Sequence, residues 1–423
     1  MQTWQLAIFK TQQRCLMKII QINCVFRKGS TGRLTAAIHD QLLQNGEESQ
    51  VIYGRGERLR EKGVLKVCSE IYAKQNALRA RITGLMYGGC ELSTHKIIHI
   101  LKKEEPDLVH LQCINGNFVN IYKLIAWLRD NCIATVLTLH AEFMYTANCG
   151  HAFVCEAFQK GCGRCPNLKQ ATKSWFFDRT HTSYQKMSAA FDNFDEQLTV
   201  VSVSPWLRER AELSPILSGK KHCVILNGVD DKVFHYQEAS ELRKKHNVKD
   251  RKVVFHATAM FRDFANDPKG GAYVLALAER MKDAPVLFFI AGKYEIQSDI
   301  PDNVVLLGEI QDPEQLAAYY AMADLTVIAS QRETFSMVCA ESLCCGTPVV
   351  GFCAGGPEQI AIPEFSTFVP YGDLDALNRA AEQWLHKEDY DSEMISKKAC
   401  DTYSQRRMTE KYIAEYKKIL CAK

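Results

Sequence analysis

Several features are missing from this sequence, and each absence closes off a class of function. No window holds the eighteen or so apolar residues that a membrane-crossing helix needs, so the chain is expected to be soluble or peripheral. The first sixteen residues, MQTWQLAIFKTQQRCL, lack the small-residue cleavage site of a signal peptide. They precede Met17-Lys18-Ile19-Ile20, which reads as a natural chain start, so 1–16 is expected to be a loose arm. No run interleaves aromatic with basic residues and no reader module is recognisable, which removes nucleic acid as an expected partner. There is no large excess of charge, the formal net value being +3.

What is present starts with length. A chain of 423 residues exceeds one core and fits two domains of ordinary size. Its 17 cysteines sit largely in apolar runs such as Leu343-Cys344-Cys345, the pattern of reduced thiols in a cytosolic protein. Residues 1–100 carry fifteen Lys/Arg against seven Asp/Glu, which suits an anionic membrane surface or a phosphorylated acceptor, and equally an ordinary solvated basic face.

Strand-length apolar runs alternate with helical periodicity. Lys18 to Cys24 leads through Gly29 and Gly32 into a helix with Leu34, Ile38 and Leu42 on one face, and Ser49 to Gly54 follows as a second strand. This βαβ unit predicts a parallel sheet. The two glycines lie at the carboxyl end of the first strand, where open α/β sheets bind ligands, though their spacing is not G-x-G-x-x-G. Helical material is expected between about Ala77 and Lys102, then strands at 106–112, 134–139, 198–203 and 223–226. Asn227-Gly228-Val229-Asp230 closes the first unit. The alternation restarts at Lys252, with a loop at 258–270 holding Arg262 and Lys269. The expected fold class is therefore α/β, two Rossmann-like doubly wound sheets: 17–230, a linker at 231–250, and 251–400.

The most informative stretch runs from Glu333 to Glu358. An apolar strand ends at Ala329, Thr334 or Ser336 can cap a helix running to about Cys345, and Gly346 supplies its left-handed stop. A pyrophosphate on the N–H groups around Thr334, Phe335, Ser336 and Met337 would be favoured by those donors and the helix dipole. Glu333 and Glu341, eight apart, would flank it and take hydroxyls, of a sugar on one side and a ribose on the other. The plainer alternative is a helix that begins with an acid for dipole reasons. His110 and His140 are expected at or near strand ends on the ligand edge, and Arg262 and Lys269 are suited to neutralising a leaving diphosphate. Cys149, Cys155, Cys162 and Cys165 fall within one short segment and could hold a structural zinc or remain reduced thiols. The aromatics that follow, Trp175, Phe176 and Phe177 among them, would cover an acceptor cleft or simply pack.

The E-x7-E spacing of Glu333 and Glu341, with C-G-T-P-V-V at Cys345 to Val350 and G-G-P-E at Gly355 to Glu358, resembles the donor site of retaining family 4 glycosyltransferases of GT-B fold. The glycine loop, H-L-Q-x-x-N-G-N at His110 to Asn117, T-L-H at Thr138 to His140, G-C-G-R-C-P, N-G-V-D and K-G recur in order, similar to the bacterial surface-polysaccharide, colanic-acid-type branch. The resemblance implies transfer from a nucleotide-sugar donor to a saccharide or undecaprenyl-type lipid-linked acceptor, with retention and without a divalent metal. It further implies that Arg262 and Lys269 bind the diphosphate, Glu341 the ribose and Glu333 the sugar, with His140 close to the reacting centre. The last helix, 401–423, would brace the first domain, and the protein would work in the cytoplasm, peripherally at the inner face of the plasma membrane. The seven positions from Arg262 to Lys269 exceed the family's usual spacing. A catalytically silent nucleotide-sugar sensor and an epimerase of the same architecture are the alternatives.

Overall fold

Each apolar run forms a strand whose connection is long enough to cross back, so every neighbouring pair in both sheets is parallel. A computed structural model describes residues 16–387 and 390–422. The expected N-terminal arm, Leu16 apart, lies outside the described residues.

The first sheet has seven strands: β1 (Lys18–Asn23), β2 (Glu48–Tyr53), β3 (Val64–Lys66), β4 (Leu108–Leu111), β5 (Ala134–Leu139), β6 (Leu198–Ser202) and β7 (Lys221–Val224), in the order β3-β2-β1-β4-β5-β6-β7. The second has six: β8 (Lys252–Arg262), β9 (Val286–Glu295), β10 (Val304–Gly308), β11 (Leu325–Ile328), β12 (Val349–Phe352) and β13 (Ser366–Val369), ordered β10-β9-β8-β11-β12-β13. The two orders repeat each other. Every residue of β4, β5 and β6 is buried, because helices cover both faces, which is why these strands read as apolar runs without alternation.

Local chemistry sets the helix ends. Ser204 accepts from Leu207 N and Pro205 occupies the first position of helix Pro205–Glu212. Asp312 and Pro313 start Pro313–Met322 in the same way.

Several expectations need correction. The helical stretch at 77–102 is two helices, Glu70–Thr83 and Glu91–Glu104, because Gly84 at φ +74° stops the first by donating its N–H to Ala80 O. Strand β8 runs on to Arg262 across a register slip between Ala257 and Met260, pairing with an equally extended β9, so 258–262 of the expected loop is sheet. Strands β3 and β13 and helix Ser392–Tyr403 lie outside the expectations; the strands, three and four residues long, make too little pattern to read.

The final helix, Gln405–Cys421, leaves the second sheet and packs on the first. Val229 N donates to Tyr403 O and Gln405 N to Val229 O, pinning the crossing. Met408, Tyr412, Ile413 and Tyr416 then share one buried cluster with Ile19, Leu34, Leu108 and Val136.

Candidate active site

In each sheet the strand order reverses between two neighbours, β1 and β4 in the first and β8 and β11 in the second. The crevice outside the carboxyl ends of such strands is where open α/β sheets place ligands. Each crevice holds some of the residues singled out above.

In the second sheet the loop after β11 brings Glu333 under the glycine turn of Gly355. Glu333 N donates to Ala354 O and Gly356 N returns to Glu333 O. Lys269 arrives from the end of β8. Gly270, at φ +71°, has its Cα so close to Ala329 that a Cβ would lie 2.1 Å from the Ala329 carbonyl oxygen, so only glycine lets the lysine approach. The result is an ion pair of 2.5 Å between Lys269 Nζ and Glu333 Oε1. Arg262 is not part of it. Its Nε donates to Glu295 Oε2 at 2.9 Å and its Nη1 lies 3.6 Å from Asp267, because the extension of β8 and β9 sets these groups side by side.

Helix Met337–Cys344 begins at Ser336, whose hydroxyl accepts from Cys339 N, and Gly346 at φ +84° follows its end. The Thr334 hydroxyl donates to His140 O at 2.9 Å, and Phe335 is buried edge-on to Tyr403. These three side chains are thus spent on structure, and the cleft wall is formed by Met337 and Glu341. Glu341 is buried one turn further on and accepts from the Tyr320 hydroxyl at 3.3 Å. Burial pushes its carboxyl up to about 7, against the pull of the Arg33 guanidinium.

In the first sheet the helix Gly29–Gln44 begins at the first glycine rather than after the second, and its N-terminus carries neither a side-chain cap nor an acid. Ser30 and Arg33 on its first turns face Glu341 and Met337 across the cleft, with Gly228 and Asp230 beside them. The glycine loop therefore presents open N–H groups and a guanidinium to the same space as Glu341.

His140 directly follows β5. Its Nε2 donates to Gln112 Oε1 at 2.8 Å, Gln112 Nε2 donates to Gln21 Oε1 at 3.1 Å, and Gln21 Nε2 to Thr35 O at 3.2 Å. This chain of amides fixes the tautomer and leaves the lone pair on Nδ1. Burial holds the imidazole neutral, its pKa pulled down to about 4. His110, expected on the ligand edge, lies instead within β4, fully buried between the Tyr416 hydroxyl at 2.6 Å and Thr138 Oγ1 at 2.8 Å.

The two sheets meet here. Besides the Thr334–His140 bond, Ser204 Oγ donates to Thr334 O at 2.7 Å. Arg332 Nη2 donates to Phe153 O at 2.6 Å while its guanidinium stacks 4.9 Å from the Trp206 ring. The other guanidinium near that ring is Arg210, 5.2 Å away, which pairs with the fully buried Glu142 at 2.9 Å. Glu142 also accepts from Ala152 N at 2.5 Å and from the Tyr145 hydroxyl. That network holds the cysteine segment. Cys149, Cys155, Cys162 and Cys165 are free thiols along it, and among the described residues the one group of three or more candidate ligands within 4.8 Å of one another is His39, Asp40 and Glu61.

Arg33, Gln112 and the Arg332–Trp206 pair were missed in the sequence. Gln21 and Gln112, lone amides ending or interrupting apolar runs in adjacent strands, were the available signal.

Residues 238–400 match the family of glycosyl transferases group 1. The chain is 20% identical over 419 residues to the putative colanic acid biosynthesis glycosyl transferase WcaC of Escherichia coli K12, covering 95% of this chain and 100% of that one. It is 24% identical over 206 residues to N-acetyl-alpha-D-glucosaminyl L-malate synthase of Bacillus anthracis, covering 46% of this chain and about half, 52%, of that protein. Among solved structures, a sucrose-phosphate synthase from Thermosynechococcus elongatus superposes with a TM-score of 0.68 at 17% identity, over 96% of this chain and 100% of that one. Anabaena HepE in complex with UDP superposes at 0.61, with 17% identity over 94% and 99%. No helix among the described residues is long and apolar enough to cross a membrane. The chain is a glycosyltransferase of GT-B fold, and its residues 238–400 are a glycosyl transferases group 1 domain similar to those of family 4.

Proposed function

We propose that the enzyme moves a sugar from a nucleoside-diphosphate sugar to a saccharide or lipid-linked saccharide in surface-polysaccharide synthesis, with retention of anomeric configuration and without a divalent metal. The observation that carries this reading is the 2.5 Å pair of Lys269 and Glu333 at the strand-order reversal of the second sheet, with Thr334, the next residue, bonded to the backbone oxygen of His140. Similarity to WcaC along the full chain supports the pathway, and the UDP named in the HepE complex supports the donor class.

Each group then has a part. Lys269 leaves Glu333 partly for the β-phosphate as the glycosidic C–O bond breaks, neutralising charge on the leaving diphosphate. Glu333 accepts hydrogen bonds from sugar hydroxyls, which a carboxylate does better than a phosphate contact. Arg33 and the open N–H groups of helix Gly29–Gln44 meet the diphosphate from the opposite wall. Glu341 takes the ribose hydroxyls, and those two donors stabilise its carboxylate. Arg262 joins the phosphate site only by leaving Glu295. His140, neutral and with Nε2 committed to Gln112, offers Nδ1 as an acceptor near the reacting sugar. The acceptor hydroxyl attacks from the face the diphosphate leaves, its proton passing to the departing phosphate oxygen, so no covalent enzyme intermediate is needed.

The test is a panel of UDP-, ADP-, GDP- and dTDP-sugars, scored by thermal shift and by release of nucleoside diphosphate. One donor that stabilises the protein and is turned over fits the proposal. A donor that binds yet is never turned over with any soluble or lipid-linked acceptor favours the silent sensor instead.

A further inference from the structure

Helix Glu70–Thr83 carries an unusual outer face. Ile71, Leu78 and Ile82, at helical spacing on one stripe, are all exposed. Lys74 and Arg81 flank the stripe on one side and Arg79 on the other by the same periodicity, and all three are exposed. At the helix end the chain turns at Gly84, and a second segment packs against it: Trp175 N donates to Arg81 O at 2.8 Å, and a Cβ on Gly84 would strike Phe177 O at 2.4 Å. That segment displays Trp175, Phe176 and Phe177 at 49%, 68% and 52% exposure. Successive rings are T-shaped at 6.3 and 6.4 Å, with Arg81 over Trp175 at 6.0 Å and Arg179 over Phe177 at 5.8 Å.

Six large apolar side chains held outward on one surface are costly in water and mark an interaction site. Their surroundings select the partner. Residues 157–181 contain Lys160, Arg164, Lys169, Lys173 and Arg179 against a single acid, Asp178, and the one acid of the helix, Glu70, is already paired with Arg55 and Lys66. Aromatic rings among arginines, beside an amphipathic basic helix, match the headgroup boundary of a bilayer, where rings enter the apolar edge and cations meet phosphates.

We propose that helix Glu70–Thr83 and the Trp175–Phe177 triplet form a docking surface for an anionic lipid bilayer. None of these residues belongs to the donor machinery, so the inference is independent of which sugar is transferred. It places the first sheet against the membrane, the side from which a lipid-linked acceptor would be offered.

The experiment is co-sedimentation of the full chain with equimolar phosphatidylcholine–phosphatidylglycerol vesicles and with pure phosphatidylcholine, at low and high salt. Wild type is expected to bind the anionic vesicles, weakly the neutral ones, and to be released by salt. Replacing Trp175, Phe176 and Phe177 together by Ser is expected to lower the partition coefficient about tenfold. Arg79→Gln with Arg81→Gln and Arg179→Gln is expected to lower it about a hundredfold, near fivefold for each charge. Donor turnover in solution serves as the folding control and should be unchanged in both. Trp175→Phe alone should remove a blue shift of tryptophan emission on vesicle addition. Wild type that stays in the supernatant with anionic vesicles at low salt overturns the proposal and points to an acidic protein partner. Variants that bind like wild type overturn it as well.

Discussion

Nε2 of His140 donates to Oε1 of Gln112 at 2.8 Å, and the same amide's nitrogen is held by Gln21, so Gln112 cannot flip without breaking two bonds. His140 is thereby fixed with its lone pair on Nδ1. Gln112→Leu leaves the ring in place and frees the tautomer. We expect kcat to fall about tenfold or more, with donor binding nearly unchanged. Nitrogen-15 shifts of the His140 ring in variant and wild type measure the tautomer directly, and an unchanged pattern would sink the assignment.

Glu341 gives the free enzyme a distinctive pH dependence. Its folded pKa, about 7, lies above the ordinary carboxylate value of 4.5, so the folded state binds more protons between those two pH values. Stability from this group is therefore whole below pH 4.5 and is lost as pH rises toward 7, by about 3 kcal/mol in all. Wild type minus Glu341→Gln isolates that slope. Donor binding, which favours the carboxylate, should release a proton near neutral pH, detectable as buffer-dependent heat in calorimetry.

The Arg332 clamp ties the reacting loop to the first sheet. Arg332→Ala removes a charged hydrogen bond to Phe153 O and the stacking on Trp206, which together are worth about 2 kcal/mol. Because Glu333 is the next residue, turnover should drop further than stability implies. Parallel denaturant titration and initial rates separate the two effects.

Much of this architecture is legible in the sequence, for physical reasons. Strands buried on both faces read as unbroken apolar runs, and Ser204-Pro205, Asp312-Pro313 and Gly346 mark helix ends by chemistry that acts over a few residues. Glu333, Lys269 and His140 are legible because each lies in the connection that follows a strand. The hidden part depends on distance in space. Nothing local shows that Arg262 meets Glu295, that Arg332 reaches Phe153, or that His110 is sealed by Tyr416 from the last helix.

Glu142 bonds to the cysteine segment through Ala152 N and Gly150 O, and we infer that these bonds hold it without a metal. Chelator treatment is expected to leave the melting temperature unchanged. Glu142→Gln, which leaves Arg210 buried without its charged partner, should cost roughly 3–5 kcal/mol. Stoichiometric zinc in purified protein, lost together with stability on chelation, would contradict this.

The central claim rests on Glu333 and Lys269. With the donor found by the panel, we would measure release of nucleoside diphosphate by wild type and by Glu333→Gln, alongside donor affinity by calorimetry. The account predicts a fall in kcat of about a hundredfold or more with affinity altered only a few fold, since the pair serves the transition state. Wild-type turnover in Glu333→Gln would contradict it.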